Sequence, residues 1–161
     1  MALKFTRTGD WARAGVTLKM LSTGSIIPAF SAQMREDGEL ILEKLLEHID
    51  NQDLNWTPLS EATIAKKGHD TIYVETGFLR EHLKVRKVRA PKNGLTYFIG
   101  ADAWTKHKPS GLKFSDLMIY LEYGTEKIPA RPLIRPTMDE VEKIIQRHWR
   151  ECLRDLITKG G

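Results

Sequence analysis

Three prolines, Pro129, Pro132 and Pro136, fall within one short run that also carries Arg131 and Arg135. Each proline fixes φ, removes an amide donor and pushes the residue before it toward extended backbone. Lys127 to Pro136 therefore reads as a stiff, extended loop, neither helix nor central strand. The stretch before it, Leu117 to Tyr123, is apolar and aromatic and has strand length, so a buried strand is predicted there. Gly124 ends that strand where a missing Cβ permits an unusual backbone turn. The stretch after it opens with Thr137-x-x-Glu140, the spacing of a capping box, so a helix is predicted from Met138. The loop then presents Arg131 and Arg135 from a preset backbone, and neither side chain is needed to hold it in place.

The remaining elements follow from periodicity and punctuation. Trp11, Ala14, Leu18 and Leu21 form the stripe of a short amphipathic helix over Asp10 to Leu21, weakened by Gly15. Gly24 and Pro28 mark a break. A longer helix is predicted over Ala29 to Ile49, with Gly38 interrupting it at some cost. Asn51 to Gly68 is mostly irregular, with Trp56 as its apolar anchor and one or two helical turns starting at Ser60. Thr71 to Glu75 reads as a short strand. Leu83 to Ala90 alternates as a strand, with a bulge or twist near Lys87. Pro91-Lys92-Asn93-Gly94 is a hairpin turn returning through Leu95 to Gly100. Ala101 to Ser115 is a long loop holding Trp104. Val141, Ile144, Ile145, Trp149, Cys152, Leu153, Leu156 and Ile157 give the last helix a wide apolar stripe.

The predicted fold is α+β, a small antiparallel β-sheet packed by two N-terminal helices and a long C-terminal helix. One domain spans 1–161: a helical N-terminal part over 1–50, a β-meander over 71–123 and a C-terminal helix over 137–158. A chain of 161 residues has room for one core. No apolar run reaches membrane-spanning length and no secretory signal is evident at the N-terminus. A single cysteine, Cys152, excludes an internal disulfide framework and suits a reducing cytoplasm.

Candidate chemistry is sparse. There is no Walker loop, no dinucleotide fingerprint and no nucleophile elbow. His69 and Asp70 are adjacent in a turn and read as polar surface. His148 and Cys152 share a helix face, but two ligands do not make a structural zinc site. No enzyme activity, metal or cofactor is predicted. Lys84, Arg86, Lys87, Arg89 and Lys92 crowd one strand and its turn, with Trp104 in the loop beyond. They are the residues that would contact nucleic acid, cations for phosphates and an aromatic for a base. The competing reading is that they blunt an edge strand against unwanted pairing.

Two groups of residues also resemble a known family. Glu122-Tyr123-Gly124-Thr125, Pro129-Ala130-Arg131-Pro132 and Arg135-Pro136 are similar to the signature of the tailed-bacteriophage tail-completion proteins. These are small virion-morphogenesis proteins of the neck, or head–tail junction. Trp56-Thr57-Pro58-Leu59-Ser60, followed by Thr76-Gly77-Phe78-Leu79-Arg80, resembles that family's other shared element. Residues 1–50 match only as generic helices, and loop 101–115 carries no shared motif.

The resemblance implies a structural virion protein that forms a hexameric ring with itself between the head-side connector and the tail tube. Its other partners are then neck and tail proteins, on the head-closure side and on the tail-terminator or tail-tube side. DNA passing through the lumen is a transient contact, and no membrane is involved. The protein is expected in the host cytoplasm during assembly and in the virion neck afterwards. The expected interface residues are Glu122, Gly124, Thr125, Lys127, Arg131 and Arg135. The alternative function is a small basic nucleic-acid-binding protein that uses strand 80–92.

Overall fold

The computed structural model describes residues 9–22, 26–75, 77–89, 94–102, 104–107 and 110–159. Helix α1 spans Trp11–Ser22 and α2 Ile26–Asn51. Two short helices follow, α3 at Glu61–Lys67 and α4 at Phe78–His82. Strands β1 (Lys84–Arg89) and β2 (Leu95–Gly100) precede α5 (Phe114–Tyr123) and α6 (Ile134–Lys159). The fold is α+β, with the long C-terminal helix and the N-terminal helices around a small antiparallel sheet.

Among the described residues that sheet has two strands. Leu117 to Tyr123 is helical, and the physical reason lies just upstream of the predicted strand. Phe114, Leu117, Met118 and Leu121 recur at i, i+3, i+4 and i+7, the spacing of one helix face. Phe114 is buried, and Leu117, Met118 and Leu121 are partly buried, while Ile119, Tyr120 and Tyr123 on the other side are exposed. Asp116 adds an acid to the first turn, where the dipole favours it. Thr71 to Glu75 is likewise not a strand. Tyr73 there has φ 64°, outside any extended conformation. The predicted β-meander over 71–123 is therefore a single hairpin. Its pairing runs without a break from Lys84 opposite Gly100 to Arg89 opposite Leu95, so there is no bulge at Lys87. The tip predicted at Pro91-Lys92-Asn93 lies outside the described residues.

Both long helices begin earlier than predicted. Pro28 and Pro136 each stand third in their helix, where the amide has no intrahelical partner to lose. Thr137 is consequently inside α6 and fully buried, with its hydroxyl donating to Leu133 O at 2.7 Å. Glu140 does not reach back to a capping residue. It lies 3.2 Å from Lys44 Nζ and 3.2 Å from His48 Nε2, tying α6 to α2. A second polar tie joins the same helices, His148 Nδ1 to the buried Asp37 carboxylate at 2.7 Å.

The core gathers Leu45 and Ile49 of α2 with Trp56, Ile72, Tyr73, Leu79, Leu83, Ala101, Phe114 and Leu133. Trp56 anchors its segment as predicted, and Ser60 caps α3 by accepting the Thr63 amide. In α2, a Cβ on Gly38 would lie 2.8 Å from Val85 Cγ1, so the glycine is what lets β1 approach the helix. The apolar stripe of α6 is buried at Val141 and meets Phe30 edge-on through Trp149. It is not core throughout, because Leu153 and Ile157 are exposed. The side chains of Trp11 and Leu21 in the predicted α1 stripe lie outside the described residues, and Leu18 is exposed.

Candidate functional site

Two regions carry the residues singled out in the sequence: the loop from Gly124 to Pro136 and the β1–β2 ribbon. The loop starts where Gly124 closes the end of α5, its amide donating to Tyr120 O at 2.9 Å. Its φ is 77°, and a Cβ there would stand 2.8 Å from Ala130 N and 3.0 Å from Ile128 O, so only glycine fits. The chain then folds back on itself. Thr125 N donates to Ile128 O at 2.8 Å, and the Thr125 hydroxyl accepts from Ile128 N at 3.1 Å. Thr125, Lys127 and Arg135 are exposed.

Arg131 and Glu122 are not. Arg131 is 5% exposed, and it donates through Nε to Thr57 O at 2.8 Å and through Nη2 to Pro58 O at 3.1 Å. Its own carbonyl accepts from Tyr73 Oη at 2.5 Å, and the next carbonyl, Pro132 O, accepts from Trp56 Nε1 at 2.7 Å. The Trp56 and Tyr73 rings lie 5.0 Å apart beside these bonds. Desolvation lowers the pKa of Arg131 and raises that of Tyr73. The expectation that the prolines alone hold the loop is corrected here: prolines remove donors but leave carbonyls, and those carbonyls need partners.

Glu122 performs a different task. Its carboxylate accepts from the amides of Leu133 at 2.8 Å, Ile134 at 2.9 Å and Arg135 at 3.0 Å. An anion at the positive end of α6 satisfies donors that no intrahelical carbonyl reaches. The cap predicted from Thr137 is thus supplied by the preceding helix. Glu122 and Arg131 are structural within the chain, and the two sequence blocks Trp56–Ser60 and Glu122–Pro136 meet as halves of one contact. The signal for this in the sequence is the pairing of a Trp-Thr-Pro block with an arginine between prolines. Sequence spacing alone does not say that they touch.

The ribbon has two unlike faces. Val85, Lys87, Tyr97 and Ile99 turn toward α2, where Tyr97 Oη lies 2.9 Å from Ser31 Oγ and Lys87 Nζ donates to the same oxygen at 3.0 Å. Lys84, Arg86, Val88 and Phe98 share the opposite face. Val88 and Phe98 are exposed there, and Arg86 sits over the Phe98 ring at 5.6 Å while pairing with Asp102. This face continues into an apolar groove of about 560 Å³, which runs past Leu83 and Met118 to Ile134 and Met138 at the start of α6.

The predicted nucleic-acid residues among those described are divided between the two faces of the ribbon. Lys84 and Arg86 point to one side of the ribbon and Lys87 to the other, as strand alternation demands. Arg86 and Lys87 are also engaged within the chain. Trp104 is 86% exposed. Lys92 and the side chain of Arg89 lie outside the described residues. Among the described residues no cluster of three or more His, Cys, Asp or Glu side chains could hold a metal, and no helix is long and apolar enough to cross a membrane. The chain matches no protein-family model, no curated protein and no solved structure.

Proposed function

We propose that this chain is a structural protein of a tailed-phage particle, acting in tail completion at the neck as a ring-forming subunit. The observation that carries the proposal is the uncovered ribbon. A two-stranded sheet leaves an open edge on each strand, and on the face away from α2 Val88 and Phe98 are exposed. Exposed Val88 and Phe98 run into an apolar groove that ends at Ile134 and Met138, themselves exposed. Contiguous apolar surface of this kind marks a contact with another protein. In the ring the neighbour is a second copy, because a head-to-tail contact that closes by rotation uses two different patches on every subunit. The second patch in this reading is the exposed side of α5 with the adjoining turn, Ile119, Tyr123, Thr125 and Lys127. The sequence blocks around Trp56 and Arg131 support the same reading from the side of resemblance, with their residues acting to set α5 and α6 in place.

The test is removal of the reading frame from the phage genome that encodes it. Electron microscopy of the lysate is expected to show filled heads and tails that are unjoined or unfinished, with joining restored by adding the purified chain. Complete particles without the chain would contradict the proposal. The nucleic-acid reading is separated by a salt titration of binding to random duplex DNA. A steep loss of affinity with salt at submicromolar binding would favour that reading instead.

A further inference from the structure

A second cavity, of about 660 Å³, opens on the side of the molecule held by the Arg131 contacts. It lies between α3, α4, α5 and the turn at Lys127–Pro129. Its walls are largely apolar, with Phe78, Leu117, Leu121 and Ile128 among them. Its charged lining is one-sided: Lys66, Lys67, Lys127 and Arg131 against a single carboxylate, Glu75. Glu75 is already engaged, 3.0 Å from His107 Nε2.

Among the described residues the cations are matched only in part: Glu75 attracts Lys67 through space without an ion-pair contact. Lys67 donates to Thr71 O at 2.9 Å, and Arg131 to the carbonyls of Thr57 and Pro58. Among the described residues neither forms an ion pair with a carboxylate. A carbonyl offers a partial charge, so Arg131 is held in a partly desolvated cleft without a full counter-charge, and Lys67 has only the charge of Glu75, which also meets His107. The guanidinium plane is also fixed in advance by its two carbonyl bonds, which lowers the ordering cost of pairing with a planar anion.

We propose that this cavity binds an acidic, apolar segment of a partner protein, whose carboxylate is drawn to Arg131 and Lys67 while a neighbouring apolar side chain fills the cleft. A carboxylate carries one charge and a flat pair of acceptors, which suits a guanidinium. A nucleic-acid strand would bring repeated phosphates against apolar walls that offer them no donors, and it would leave most of its charge in solvent.

The test is amide NMR of the full chain titrated with a capped Gly-Leu-Glu-Leu-Gly peptide and with its twin bearing Gln for Glu. The Glu peptide should shift the amides of Lys67, Tyr73 and Ile128 to saturation, and the Gln twin should bind at least about tenfold more weakly. Lys67→Gln, which leaves the Arg131 contacts intact, should weaken the Glu peptide about fivefold and leave the Gln twin unchanged. Equal binding of the two peptides would overturn the proposal, as would shifts confined to β1 or no shift at millimolar peptide. So would an oligothymidylate that moves these amides where the Glu peptide does not. Peptide binding and particle assembly are separate readouts, so either can fail while the other holds.

Discussion

The loop at 124–136 and the ribbon at 84–100 both read as exposed, charged surface, and they differ in how much of that charge is held within the chain. The loop is rich in proline and arginine and reads as exposed, yet Arg131 is buried and its backbone carbonyls are held by Trp56 and Tyr73. The ribbon carries Lys84, Arg86 and Lys87 and reads as a basic edge, yet apolar Val88 and Phe98 are exposed on one of its faces. The difference lies in backbone bonding. A strand pair satisfies its own inner ladder and needs cover on one face only. A proline-bearing loop satisfies little of itself, so its carbonyls draw in side chains from elsewhere. The Arg131 side chain of the loop is thus bonded within the chain, while apolar surface on the strand pair stays exposed.

The contrast breaks most visibly at Arg131. Arg131→Glu puts an acid among the carbonyls of Thr57 and Pro58, and the loss is expected to exceed about 4 kcal/mol. Circular dichroism should show an unfolded chain at room temperature. A folded variant with the parent's melting point would mean that the loop holds itself.

Glu122→Ala ranks next. It leaves three amides of the α6 start without an acceptor, one of them on the fully buried Leu133. A cost of about 2–4 kcal/mol is expected by denaturant unfolding. If Glu122→Ala costs no more than an ordinary surface change, α6 is capped by something else.

Tyr73 gives a smaller effect that depends on pH. Burial raises the pKa of its phenol, so the neutral form is the one that folds. The stability it contributes is complete below the ordinary tyrosine value of about 10 and is lost as pH rises above it. Alkaline unfolding should therefore begin above about pH 10 and be shallower in Tyr73→Phe. That variant should lose about 1 kcal/mol at neutral pH with the bond to Arg131 O. The same alkaline profile in parent and variant would show that another group drives the transition.

Much of this fold is legible in residue patterns, and the failures have physical causes. The ribbon follows from alternation, and α3 from its Ser60 cap. The helix α5 reads as a strand because a window opened at Leu117 hides the period that Phe114 reveals. The starts of α2 and α6 read too late when proline is taken as a barrier, whereas a first-turn amide has no partner to forfeit. Gly38 reads as a weakness of α2, but Val85 stands 2.8 Å from its Cβ position and needs the space. Of the candidate site, Thr125, Lys127 and Arg135 are exposed, as their loop composition suggests. Arg131 and Glu122 are buried instead, because their partners stand 74 and 11 residues away along the chain at the closest bonds. Side-chain capping across elements leaves no local spacing to detect.

A small effect on stability is expected at the ribbon face, which allows the most direct measurement. Val88→Asp with Phe98→Asp alters exposed positions and loses the Arg86 contact to the Phe98 ring, so the isolated chain should lose no more than about 1–2 kcal/mol and stay folded. An infection that depends on this double variant should then be viewed by electron microscopy beside one complemented by the parent chain. The expected result is a folded protein and particles whose heads and tails remain unjoined or whose tails are unfinished. Normal particles carrying the double variant would contradict a role for the ribbon face in assembly.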